Sequence, residues 1–80
     1  MQLSIVKQLA SDFELTELVA AEMAVLEEKK PEITVGGIDE GEQLTHLMAA
    51  IWVKKEMAKE NLPLPKALRN YTLKVRTSIS

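Results

Sequence analysis

Apolar residues recur with the period of a helix in four separate stretches of this chain. In the first, Leu3, Ile5, Val6, Leu9 and Ala10 form one broad face over residues 2–10, while Ser4, Lys7 and Gln8 face away. Ser11-Asp12-Phe13-Glu14 then reads as punctuation, a small polar residue with Glu three positions on. The second pattern covers about residues 14–29. Leu15, Leu18, Val19, Val25 and Leu26 make its inward stripe, and Met23 lies at the edge. Lys29 and Lys30 suit its C-terminal end, and Pro31 stops it.

The third pattern predicts a helix from about residue 40 to 59, with Asp39 as N-cap and Glu42 placed to reach back to it. The fourth begins near Pro65, a residue suited to the first turn. Leu64, Leu68, Tyr71, Val75 and Ile79 then share a face. The alternation Leu73, Val75, Thr77, Ile79 also fits a strand, but five aligned apolar residues and the lack of a hairpin turn favour helix. Between the second and third patterns lies "EITVGGIDEG". Ile33 and Val35 alternate with polar residues, so residues 32–38 form either a very short strand or an extended loop, and Gly36-Gly37 turns the chain. The expected fold is therefore all-α: one compact domain, residues 1–80, of four helices with a Gly-rich loop between helices two and three.

Length changes this picture. A chain of 80 residues buries roughly 60% of its unfolded surface and is marginal without some supplement to its core. With no Cys, neither a disulfide nor a thiolate metal site supplies one. Oligomerisation remains. The third helix gives it a place. Leu44, Leu47, Met48, Ile51 and Ala58 share one arc, with Trp52 at its edge; His46, Ala50, Val53 and Met57 form a second arc nearly opposite. A helix apolar on two sides needs two neighbours. The expectation is a homodimer with Ala50, Val53 and Met57 at the interface. The alternative is a central helix wrapped by the other three.

Charge adds an asymmetry. The net charge of −2 gives no general attraction to nucleic acid. Yet residues 61–80 hold Lys66, Arg69, Lys74 and Arg76 and no acid, whereas the first sixty residues hold all twelve acids against six lysines. Such a division serves self-association, or is ordinary helix-end charge. No apolar run approaches the ~20 residues of a membrane span, and the N-terminus lacks the form of a signal peptide. A cytoplasmic location is expected.

The candidate chemistry is sparse. His46, the single His, follows Glu42 by one turn, so the two can pair or share a ligand. Glu22 falls within the second helix's apolar stripe, where a carboxylate is costly unless bonded to a cation or donor. Glu22, Glu42 and His46 are thus the candidate buried polar or ligand cluster. The structural reading is that Glu42 caps, His46 packs and Glu22 reaches water at the rim. Four-helix metal sites use Glu-x-x-His pairs, and this chain has a single Glu-x-x-x-His. A third possibility is a helix-turn-helix at "VKQLASDFELTELVAAEMA". Its second helix would carry glutamates and no Lys or Arg toward phosphates, which argues against it. No nucleophile–base set or phosphate loop is present, so the chain is expected not to be an enzyme and to need no cofactor.

The segment "DEGEQLTHLMAAIWV" and the ending "ALRNYTLKVRTSIS" resemble an uncharacterised family of small cytoplasmic bacterial proteins of about this length. The resemblance implies a helical fold and an association with thioredoxin-like and peroxiredoxin-like partners. Without Cys, this chain would be an accessory to such partners and not a thiol carrier. The expected function is a small non-catalytic interaction or accessory protein, with a ligand- or metal-binding bundle as the alternative.

Overall fold

The computed structural model describes residues 1–79, with side chains through Arg76. Four helices follow in order: α1 (Leu3–Asp12), α2 (Leu15–Leu26), α3 (Glu40–Glu60) and α4 (Leu64–Ile79). The chain forms an all-α globule, as the periodicity predicts. Residues 31–39 are irregular, and no strand occurs among the described residues. The C-terminal segment is helix, so the alternation at Leu73 and Val75 does not produce a strand. The predicted place of Ile79 on the α4 face lies outside the described side chains.

Local chemistry sets the helix ends. Glu17 reaches back to the Glu14 N–H at 2.9 Å, while its own N–H bonds the Glu14 carbonyl at 3.0 Å. At the other end of α2, Glu28 adopts a left-handed backbone (φ 59°), and the Lys29 N–H closes on the Ala24 carbonyl at 2.7 Å. Asn61 (φ 53°) ends α3 in the same way, with the Leu62 N–H on the Met57 carbonyl at 3.0 Å. These are Schellman-type closures, which satisfy carbonyls the helix leaves open. Pro63 accepts the first bonds of α4, from the Lys66 and Ala67 N–H groups, so α4 begins one residue before Pro65.

The third helix is the axis of the fold. α1, α2 and α4 each pack on α3, and α1 and α4 touch each other more lightly. Val6 and Leu9 from α1, Leu18 from α2, Ala67 from α4, and Leu47, Ala49, Ala50 and Val53 from α3 are all fully buried. This corrects one expectation. Ala50 and Val53 were expected to face a partner; they sit at zero exposure inside the chain's own core, with Met57 half-buried beside them. Three short helices suffice to wrap a central one, because small residues such as Ala10, Ala49, Ala50 and Ala67 let the backbones approach closely.

A second correction concerns α2. Leu18 and Val25 of the expected stripe are buried and Leu15 and Val19 pack against the core, but Leu26 faces out and Ala21 takes a buried place instead. Leu26 is 62% exposed and Met23 55%. The helix is apolar on most of its circumference, so hydrophobicity alone does not choose its inner face. Ala21 joins the buried face, where a methyl side chain allows α2 to sit close to α3.

Candidate functional site

His46 is completely buried and makes two bonds to backbone. Its Nδ1 lies 2.8 Å from the Gly36 carbonyl, and its Nε2 lies 3.0 Å from the Gln2 nitrogen. Gln2 brings an N–H and Gly36 a carbonyl, so the pair is satisfied by the neutral imidazole with its proton on Nδ1. One side chain on α3 therefore ties the start of α1 to the loop between α2 and α3. Neither ring nitrogen is left over.

Glu42 serves the same loop. Its N–H bonds the Asp39 cap at 2.8 Å, and its carboxylate accepts from the Ile38 N–H at 3.1 Å. The reach-back expected at Asp39 thus lands one residue earlier. The two glycines fit this arrangement for different reasons. A Cβ on Gly36 would stand 2.9 Å from the Ile5 side chain. Gly37 has φ +147°, and a Cβ there would stand 3.0 Å from the Gln43 backbone nitrogen. The loop is pressed onto α1 and the first turn of α3: Gly37 cannot take a side chain without backbone strain, while at Gly36 the Ile5 side chain would have to give way.

Glu22 does not join His46 and Glu42. It is half-buried on the flank of α2, and its side chain has no hydrogen bond or ion pair among the described residues. No buried polar side-chain atom lacks a partner among the described residues, so its carboxylate oxygens reach water. Among the described residues, no three His, Cys, Asp or Glu side chains are grouped as a metal site requires. The metal-binding alternative built on Glu22, Glu42 and His46 has no assembled ligand set.

What sequence reasoning missed lies on the outer side of α2. Leu15, Val19, Met23 and Leu26 follow the spacing i, i+4, i+8, i+11 along one side of α2; Leu15 and Val19 pack against the edge of the core, and Met23 and Leu26 continue the row outward. Leu15 and Val19 are half-buried, and the other two are exposed. Beside the row, Thr16, Ala20, Met23, Ala24 and Ile33 line an open groove of about 560 Å³. Glu17, Glu27, Lys29 and Lys30 rim it, and Lys29 pairs with Glu27 at 3.8 Å on the surface. The signal was present in the sequence: a helix with apolar residues on every side has more than one neighbour to satisfy.

A third cluster joins α3, α4 and the N-terminus. Trp52 and Tyr71 pack with ring centroids 5.6 Å apart, and the Lys74 ammonium stands 5.8 Å from the Trp52 ring. The Tyr71 hydroxyl reaches the Met1 sulfur at 3.9 Å. Burial pushes the Tyr71 phenol above its ordinary value. This is a packing cluster that fastens α4 to α3.

These features define an all-α helical bundle with a buried histidine clamp and an uncovered apolar helix face. The chain belongs to a family of unknown function, DUF6952, which it matches over residues 1–80. Comparison with curated proteins returned no match, and neither did comparison with solved structures. No helix among the described residues is long and apolar enough to cross a membrane.

Proposed function

We propose that this chain is a small, non-catalytic interaction protein of the cytoplasm that works through the outer face of α2. The observation that carries the reading is the pairing of Met23 and Leu26, both more than half exposed, on a helix whose substantial packing is on α3 alone. Exposed apolar side chains are common singly, but two nearly one turn apart, continuing a row that Leu15 and Val19 begin at the core's edge, suit a helix that enters a groove. Two polar groups support a non-catalytic role. His46 has both nitrogens committed to backbone, and Glu42 holds the loop. Thiol-redox partners remain compatible with the reading only as proteins that this cysteine-free chain binds.

Affinity capture from the native cytoplasm tests it, using the full chain and the variant Met23→Asp/Leu26→Asp side by side. Both substituted positions are exposed, so the variant keeps its melting temperature. Captured proteins, including native copies of the chain itself, should be retained by the first and lost by the second. Equal capture by both would contradict the role of α2.

A further inference from the structure

We propose that the occupant of the α2 face is α4 of a second copy of this chain, which deepens the reading above and rests on it. The ground is charge complementarity between two helix faces that do not meet within one chain. Residues 14–28 contain Glu14, Glu17, Glu22, Glu27 and Glu28 and no Lys or Arg; Lys29 and Lys30 follow at the C-terminal end, where Lys29 lies 3.8 Å from Glu27 on the surface. Glu22 and Glu27 border the Leu15–Val19–Met23–Leu26 ridge on its two sides, as the 100° step of a helix requires.

α4 has the opposite character. Lys66, Arg69, Leu73 and Arg76 follow the spacing i, i+3, i+7, i+10, and all four are exposed. Leu73, 47% exposed, lies among three cations, with no acid anywhere in residues 61–80. The side chains of Lys66, Arg69 and Arg76 make no hydrogen bond or ion pair among the described residues. One helix thus offers exposed Met23 and Leu26 on a side rich in carboxylates, with Lys29 at its far end, and the other a leucine framed by cations.

Within the chain, α2 and α4 both pack on α3, and there is no substantial packing between them. The molecule is also thin, 18 Å in one direction against 31 and 28 Å in the others, so its helices have outer faces that the chain cannot cover. A second copy can supply both missing partners. In a two-fold pair, α2 of each protomer meets α4 of its partner, and the same contact forms twice. Opposite charge on the two faces sets which helix meets which.

Charge reversal tests this directly. The first variant is Glu22→Lys/Glu27→Lys, and the second is Arg69→Glu/Arg76→Glu. Circular dichroism and melting establish that each is folded. Sedimentation velocity then follows each alone and both mixed, from low micromolar to about 100 μM, a range that detects contacts of modest affinity. Wild type should sediment at about twice the 8.9 kDa chain mass at the upper end. Its association should weaken several-fold between about 0.05 and 0.5 M salt, since shorter Debye lengths screen surface charges. Each variant alone places like charge on both faces and should remain monomeric. An equimolar mixture restores two complementary contacts and should associate like wild type.

A wild-type monomer at ~100 μM, dimeric variants, or a mixture that stays monomeric would overturn the proposal. Binding of anionic phospholipid vesicles by a monomeric wild type, lost in Arg69→Glu/Arg76→Glu, would overturn it in favour of a membrane surface. If wild type is monomeric while Met23→Asp/Leu26→Asp still loses captured proteins, α2 is an interaction face and the second copy is not its occupant.

Discussion

α2 and α3 divide the apolar residues of this chain in opposite ways. α3 carries five charged residues, Lys54, Lys55, Glu56, Lys59 and Glu60, in its last two turns, yet six of its residues are buried, including a histidine. α2 is the more apolar helix, with just Glu17 and Glu22 charged along its length, yet three of its residues are buried. Composition therefore does not rank helices by burial. Position in the fold does: α3 has neighbours on three sides, and α2 is left with one. The apolar surplus on α2 is more than its place in the monomer uses, which is why its outer face, and not the centre of the bundle, is the functional candidate.

The sharpest way to break this comparison is to charge the helix that the monomer covers. Val53 has no exposure. Val53→Glu buries an unpaired carboxylate, at a cost of several kcal/mol that a marginal domain of ~5–10 kcal/mol does not survive. Circular dichroism should show an unfolded chain. A folded, fully helical Val53→Glu protein would return Val53 to a surface and reinstate α3 as an interface.

The next test concerns the polar residues. His46→Ala opens a cavity and leaves the Gln2 N–H and the Gly36 carbonyl unpaired, for a loss of roughly 3 kcal/mol or more. Glu22→Ala removes a carboxylate that already reaches water and should change stability by less than about 0.5 kcal/mol. Denaturant unfolding of both variants checks the order. Equal losses would mean that Glu22 has a partner in solution.

That order was not legible in the sequence, and the reason is physical. The four helices, their boundaries to within a few residues and the Asp39 cap were readable, because each rests on local periodicity and local hydrogen bonding. The facing of α2 was only partly so. Large apolar residues placed Glu22 mid-stripe, but alanine sets how closely two helices approach, and Ala21 joins the buried face while Leu26 faces out. The packing role of His46 was one of the readings its position allowed. Its second partner, Gln2, lies 44 residues away in sequence, and no local pattern announces such a contact. The supposed two-partner arcs of α3 were real as periodicity, and the wrapped-helix alternative is the one that places them.

A smaller effect concerns the exit from α2. Glu28 holds a left-handed backbone where glycine is the usual residue. Glu28→Gly should relieve that conformation and stabilise the chain by about 0.5–1 kcal/mol, read as a higher melting temperature. No gain, or a loss, would mean that the Glu28 side chain contributes a contact there.

That the outer face of α2 receives α4 of a second copy is the central claim, and a concentration series of amide NMR spectra tests it most directly. Between about 10 μM and 1 mM, a range that spans weak to moderate self-affinity, the amide resonances of Val19, Met23, Leu26, Arg69 and Leu73 should move together. Those of Leu9, His46 and Val53 should stay in place. Spectra that do not change with concentration would leave α2 without a second copy, and shifts confined to the surface of α3 around Met48 would place the interface on the wrong helix for this account.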